Sequence, residues 1–454
     1  MQAGAVSFSV ALRFWLKLGF ISFGGPAGQI AVMHRELVEE KRWISEQRFL
    51  HALNYCMVLP GPEAQQLATY IGWLLHRTWG GIAAGVLFVL PSLLLLIALS
   101  WIYLVYGQVA GVAAVLWGIK PAVAAIVLHA LLRIGGKTLR HPRQSPVLWA
   151  IALASFVALY GLAIPFPAVV LTAAALGWIG GRVAPAQFTP PVAQPAAVAA
   201  AAERAPALIH DGMPAPAHTR FSRSRLLRVL AVGAALWLLP MAALVLWHGW
   251  DGTLATMARF FTKAALLTFG GAYAVLPYVY QGAVVEHGWL LAPQMLDGLA
   301  LGETTPGPLI MVVAFVGFLG GWGQQVLGPD HLFLGAALAA CVVTWFTFLP
   351  SFVFILAGGP LVESTHGKLA FTAPLTAITA AVVGVIASLA LFFLTHVLFP
   401  EGMAAGLWRA LDLLALLMAC AATWALVVGE QGVVRVILCS GLTGWVLHLL
   451  GWLA

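Results

Sequence analysis

Two short interruptions of apolar sequence hold the residues best suited to handling an anion. They are Pro60-Gly61-Pro62-Glu63 and Pro306-Gly307-Pro308. Proline is favoured at the first position of a helix, so a helix is expected to start near Pro62 and another near Pro308. A helix N-terminus offers free N–H groups and about half a positive charge, which suits an oxyanion. The plainer alternative is a turn between two helices. Phe23-Gly24-Gly25-Pro26 and Phe269-Gly270-Gly271 form a second pair. Glycine and proline both break helices, and broken backbone inside a bilayer is tolerated only where protein buries it or water reaches it. Close helix packing through glycine is the alternative here.

Charged residues accompany these motifs. Arg13 with Lys17 recurs as Arg259 with Lys263. A spacing of four puts both cations on one helix face, where they would attract or coordinate an anion; snorkelling to the membrane interface competes with that role. Glu63 and Glu303 are carboxylates in apolar surroundings, where charge is costly and marks function by default. Each is a candidate for proton coupling, and Glu63 would also favour a helix N-terminus electrostatically. His34, which follows the first GG motif, is a third coupling candidate. Gln65, Gln66, Thr304 and Thr305 supply neutral donors close by. The remaining histidines form no HExxH or cluster, no phosphate-loop motif occurs, and no catalytic residue, metal or cofactor is expected.

The elements that carry these residues belong to a membrane. Of the 454 residues, 61% are hydrophobic and 9% charged, against about 25% charged in soluble domains. A large soluble enzyme is excluded. The net charge of +7 fits basic cytoplasmic loops and comes with no basic-aromatic pattern, so no nucleic-acid partner is expected. The four cysteines have no metal spacing and read as small packing residues. No basic n-region with a cleavage site opens the chain, so the first apolar stretch is expected to be retained.

Two apolar sets, residues 1–181 and 227–454, flank an Ala/Pro-rich stretch, 182–226, that reads as a flexible cytoplasmic linker. The second set has an extra leading helix near 227–248. At an offset of 246, positions 13–62 match 259–308 at fourteen of fifty places, and Leu90-Pro91-Ser92 matches Leu349-Pro350-Ser351 at an offset of 259. Glu303 aligns with Met57, so the carboxylates are not equivalent. Arg35, Lys41, Arg42 and Arg48 mark one loop and Lys137, Arg140 and Arg143 another, while the matching loops of the second half carry no Lys or Arg. By the positive-inside rule, matching loops lie on opposite sides. The fold expected is an all-α polytopic membrane protein of two inverted-topology repeats with broken or re-entrant helices at GG and PGP. It has about nine crossings, the N-terminus inside and the C-terminus outside. Internal repeats of this kind are a transporter signature.

The stretches FGGPAGQIAVMHRELVEEKRWISEQRFL, NYCMVLPGPEAQQLATYIGW, LTFGGAYAVLPYV and LGETTPGPLIMVVAFVGFLGG resemble the chromate transporter family. The resemblance implies a multi-pass protein of the bacterial inner membrane that exports chromate by proton-motive force, as an antiporter, and gives chromate resistance. It also implies the long-chain form with homologous halves of opposed topology. Chromate and sulfate share charge and shape, so sulfate is the expected competitor and sulfate transport or exchange the alternative function. A membrane-embedded enzyme is disfavoured, because no nucleophile, base or metal cluster is present. The lipid bilayer is the expected surrounding partner, and a homodimer is left open.

Overall fold

The computed structural model describes residues 6–23, 25–139, 141–162, 164–188, 207–210, 217–269, 271–365, 372–400 and 411–452. Gly24, Gly270, Arg140 and most of the linker lie outside them. Among the described residues the regular structure is helical. Six of the described helices are long and apolar enough to cross a membrane, and the chain is a multi-pass membrane protein.

The first half begins with α1 (Phe8–Ile21), α2 (Gly25–His34, continued by a π-turn Arg35–Glu40), α3 (Glu46–Val58) and α4 (Glu63–Tyr106). Helix α4 is two limbs. His76 and Arg77 leave helical geometry, and the limbs fold back so closely that Gly72 and Gly80 meet with no room for a Cβ on either. The apolar stretch 53–76 is therefore a hairpin with PGP at its tip. Helices α1 and α2 make a second hairpin: Lys17 on α1 reaches Glu36 at 2.9 Å, and Phe14 packs edge-on against Trp43. Helices α5 (Ala110–Thr138), α6 (Pro146–Phe156, with a π-turn Val157–Gly161) and α7 (Phe166–Val183) complete this half.

The second half repeats the pattern after one additional helix, α8 (Arg223–His248). Then come α9 (Thr253–Leu267), α10 (Ala272–Tyr280, with a π-turn Gln281–Glu286), α11 (Ala292–Thr304), a 3-10 turn Leu309–Met311 leading into α12 (Val312–Gly323), and α13 (Leu332–Thr365). Helices α14 (Thr372–Leu398), α15 (Leu413–Val427) and α16 (Val433–Leu449) follow. The offset of 246 read from the sequence carries α3 onto α11 and the first π-turn onto the second, residue for residue.

The second limb of α4 and its counterpart α13 lie against each other. Gly81 meets Leu356 and Gly85 meets Phe352, and Trp101 meets Phe333. Rising numbers on one helix pair with falling numbers on the other, so these equivalent helices run antiparallel. The linker residues described touch both halves, the Phe188 carbonyl accepting from the Thr376 hydroxyl at 3.1 Å. Ile209 forms a bridge with Ile44, and His218 Nε2 lies 3.0 Å from the Trp73 carbonyl. Of the cysteines expected to be packing residues, Cys56 is buried; Cys341, Cys420 and Cys439 are on outward faces.

Candidate functional site

The PGP tips cross over. The Gly61 N–H donates to the carbonyl of Thr268, just past α9, at 2.7 Å, and the Gly307 N–H donates to the carbonyl of Ser22, just past α1, at 2.8 Å. Ser22 and Thr268 are repeat-equivalent, so each tip is held by the broken-helix end of the other half. The glycines are required by geometry. Gly61 has φ +125° and Gly307 φ +106°, and a Cβ on Gly307 would lie 2.8 Å from the Ser92 Cβ, while one on Gly61 would collide with the Ser351 hydroxyl. Ser92 and Ser351 are the matching serines of the LPS motifs. The GG motifs also show the expected backbone, with Gly25 at φ +67° and Gly271 at φ +98°. Helices do start beyond the tips: α4 at Glu63 with Pro62 as its N-cap, and the 3-10 turn beyond Pro308.

Two cradles result, with unequal contents. Around Gly61 the donors are engaged: the Gln66 amide donates to the Pro60 carbonyl at 2.8 Å and to the Ser351 hydroxyl at 3.3 Å, and the Thr268 hydroxyl bonds Ala264 at 2.7 Å. Around Gly307 the Gln29 amide donates to the Gly307 carbonyl, but the hydroxyls of Ser22 and Ser92 are fully buried and lack a partner. The amide oxygens of Gln29, Gln65 and Gln66 also lack one. Buried polar groups are ordinarily bonded. The two unpartnered hydroxyls, both beside Gly307, could donate to a polar guest or water held there.

The residues expected at the site are not all brought together. Gln65 is buried and its amide donates to the Thr69 hydroxyl at 3.0 Å. Glu63 stands in the first turn of α4 at the tip. Glu303 is buried and accepts from the Tyr273 hydroxyl. Thr304 and Thr305 direct their hydroxyls back to the carbonyls of Leu301 and Gly302 at 2.9 and 3.0 Å, which engages their protons. Arg13, Lys17 and Lys263 lie on exposed faces of α1 and α9, away from the buried faces. Lys17 pairs with Glu36, which Lys41 also reaches at 2.8 Å; the lysines hold the Glu36 carboxyl below its ordinary value, against the effect of burial. Arg259 is tied to Trp250 and Thr256 and lies 3.8 Å from Asp251. His34 sits between Glu46 at 2.5 Å and Glu39 at 3.2 Å. The four cations are thus on the faces of α1 and α9 turned away from the buried tips, and His34 is held by carboxylates at the end of α2.

Ser22, Gln29, Ser92, Ser351 and Tyr273 were not singled out as site residues by motif and spacing. A signal existed for three: Ser22 aligns with Thr268, another hydroxyl, and the LPS repeat contains both serines. Two buried polar ties also escaped notice, because their partners are far apart in sequence. Glu363 on α13 binds the Arg48 guanidinium on α3 and accepts from the Tyr70 hydroxyl at 2.5 Å. Asp297 on α11 accepts from Tyr103 at 2.9 Å, with Lys120 at 3.6 Å. Each joins the PGP hairpin of one half to the other half.

Fold and site together define an all-α polytopic membrane protein whose two like halves interlock at a polar centre. The profile of the chromate transporter family matches residues 10–178 and 255–445, both halves without the linker, and the chain belongs to that family. It is 34% identical to a chromate transport protein of Pseudomonas aeruginosa over 97% of this chain and 92% of the relative. It is 30% identical to a chromate transport protein of Cupriavidus metallidurans, over 83% of this chain and 80% of that one. It is also 30% identical to a probable chromate transport protein of Synechococcus elongatus, over 80% and 78%. No solved structure matches the chain.

Proposed function

We propose that this chain is a secondary active transporter that exports chromate across the bacterial inner membrane, driven by the proton-motive force, and so confers chromate resistance. The observation that carries the reading is the crossed bonding of the PGP tips, Gly61 to Thr268 and Gly307 to Ser22. It brings broken backbone from both halves together in two buried polar cradles, as a transporter binding site built at a repeat interface requires. The names of the relatives supply the substrate.

In this mechanism the Gly307 cradle takes the oxyanion. Ser22 and Ser92 donate their hydroxyl protons to it, and the first turn beyond each tip adds N–H groups and the positive end of a helix dipole. The dianion is then held without burying a full cation, and Arg13, Lys17, Arg259 and Lys263 act from the outer faces of α1 and α9 to raise its local concentration. Glu63 and Glu303 are the proton-coupling groups near the tips. The halves are read as inverted repeats with nine crossings and four hairpins, N-terminus inside and C-terminus outside. The antiparallel run of α4 and α13 supports that reading. Rocking one half against the other then exposes the cradle to each side in turn.

The test is chromate uptake into everted vesicles, with and without an uncoupler and with sulfate as competitor. Uptake abolished by the uncoupler and lowered by sulfate is expected. Uptake indifferent to the uncoupler would remove proton coupling, and sulfate uptake without chromate uptake would replace the substrate.

A further inference from the structure

A groove of about 570 Å³ runs between the second limb of α4, α8 and α13. Its trough is apolar, lined by Ile82, Val86, Val232, Leu236, Phe348 and Phe352. Its head is not. Arg225 and Arg228, both on the first turns of α8, close one end beside Thr78. Trp345 donates to the Leu236 carbonyl at 3.1 Å further along, joining α13 to α8.

The charge at the head is unusual for its place. A helix N-terminus favours carboxylates, yet α8 has no acidic residue in its first turn. Its approach and first turns carry Arg220, Arg223, Arg225 and Arg228, and none of the four pairs with a carboxylate among the described residues. Arg225 spends one donor on the His218 carbonyl, and a guanidinium has five. From Arg225 to Leu236 the helix rises about 16 Å at about 1.5 Å per residue. That is about half of a hydrocarbon core of about 30 Å, the depth of one leaflet.

We propose that this groove binds an anionic glycerophospholipid from the leaflet facing the basic loops. The phosphate sits on Arg225 and Arg228, and one acyl chain lies along the trough. A soluble anion would use the arginines but leave the trough without purpose. A zwitterionic lipid would fill the trough but add no net charge at the head, whereas basic pockets between membrane helices on the cytoplasmic side suit anionic head groups. The lipid would brace α8, the helix with no counterpart in the first half, against the two antiparallel helices at the centre.

The experiment uses the purified full-length protein in non-ionic detergent. Melting temperature and lipid retention in native mass spectrometry are followed with phosphatidylglycerol, with phosphatidylcholine of the same chains, and with inorganic phosphate. Phosphatidylglycerol is expected to raise the melting temperature by several degrees and to be retained, while the other two do neither. Arg225→Gln with Arg228→Gln should lower phosphatidylglycerol retention at least fivefold. Arg225→Lys with Arg228→Lys, the folding control, should keep the preference. Val232→Trp, which fills the trough and leaves both arginines, should also lower retention. Equal effects of the two lipids, a preference unchanged in the glutamine pair, a preference lost equally in the lysine pair, or retention unchanged in Val232→Trp would overturn the proposal. So would inorganic phosphate reproducing the whole shift, which would indicate a soluble-anion site.

Discussion

At the scale of single residues, the two tip glycines are not interchangeable. Both have a positive φ, which costs an L-residue about 1–2 kcal/mol. They differ in what a methyl group would strike. At Gly61 it meets the far ends of side chains, the Ser351 hydroxyl and the Gln66 amide nitrogen at 2.6 Å, whereas at Gly307 it meets the Ser92 Cβ at 2.8 Å, an atom fixed to the backbone. Gly307→Ala should therefore abolish chromate transport, and Gly61→Ala should leave a measurable remainder, with both proteins present in the membrane fraction at wild-type amounts. Gly25 separates backbone from space, since a Cβ there meets nothing within 4 Å and φ is +67°. Asparagine tolerates that conformation and valine does not, so Gly25→Asn should keep more transport than Gly25→Val. Equal loss would show that something other than φ requires the glycine. Ser92 makes the sharper test of the cradle. A hydrogen bond to a charged group is worth about 1.5–3 kcal/mol, so Ser92→Ala should raise the KM for chromate about tenfold or more. Ser351→Ala, which removes a hydroxyl already bonded to Gln66, should raise it less. The reverse order would move the anion to the Gly61 side.

At the scale of elements, the hairpins are held by buried polar ties as well as by packing. Glu363 and Arg48 join α13 to α3 across the two halves, with side chains 4% and 15% exposed. Removing one partner of a buried pair costs about 3–5 kcal/mol, more than the pair itself contributes. Glu363→Ala should lower the melting temperature in detergent markedly, and adding Arg48→Ala should restore part of the loss; strictly additive losses would mean the two act separately. Glu36 ties α1 to the end of α2 through Lys17 and Lys41. Its folded pKa lies below the unfolded value of 4.5. Its contribution is therefore present above pH 4.5 and is lost as pH falls through the folded pKa. The gap in melting temperature between wild type and Glu36→Gln should be full at pH 6 and close below pH 4.5. A gap unchanged on acidification would show that the carboxylate charge is not what holds the hairpin. These ties also explain what the sequence left hidden. Helix breaks at GG and PGP, the helix start at Glu63 and the 246-residue offset are local signals, set by glycine, proline and periodicity. Arg48 with Glu363 and Ser22 with Gly307 depend on which elements meet in space, and nothing local encodes that. The cations were legible as a repeated pair on one helix face, but what that face would meet was not, because it depends on which elements pack against α1 and α9.

At the scale of the whole molecule, the decisive matter is whether the halves are inverted. Reciprocal contacts alone do not decide it, since a two-fold axis along the membrane normal would also exchange Gly61–Thr268 with Gly307–Ser22. The direction of equivalent helices does discriminate. Such an axis would leave α4 and α13 running the same way, whereas Gly81 with Leu356 and Trp101 with Phe333 require opposite directions. The in-plane axis of the proposed inverted arrangement would put every pair of equivalent loops on opposite sides. Glu39 and Val285 make the test direct, because they are related by the offset of 246, lie in matching π-turns, and are both well exposed, at 52% for the Glu39 side chain and 67% for Val285. In a background with the four native cysteines replaced, Glu39→Cys and Val285→Cys are labelled in intact spheroplasts with a membrane-impermeant thiol reagent. Val285→Cys should label, and Glu39→Cys should label only after the membrane is opened, since Arg35, Lys41 and Arg42 place its loop inside. Labelling of both in intact spheroplasts, or of neither, would put equivalent loops on one side and end the inverted reading.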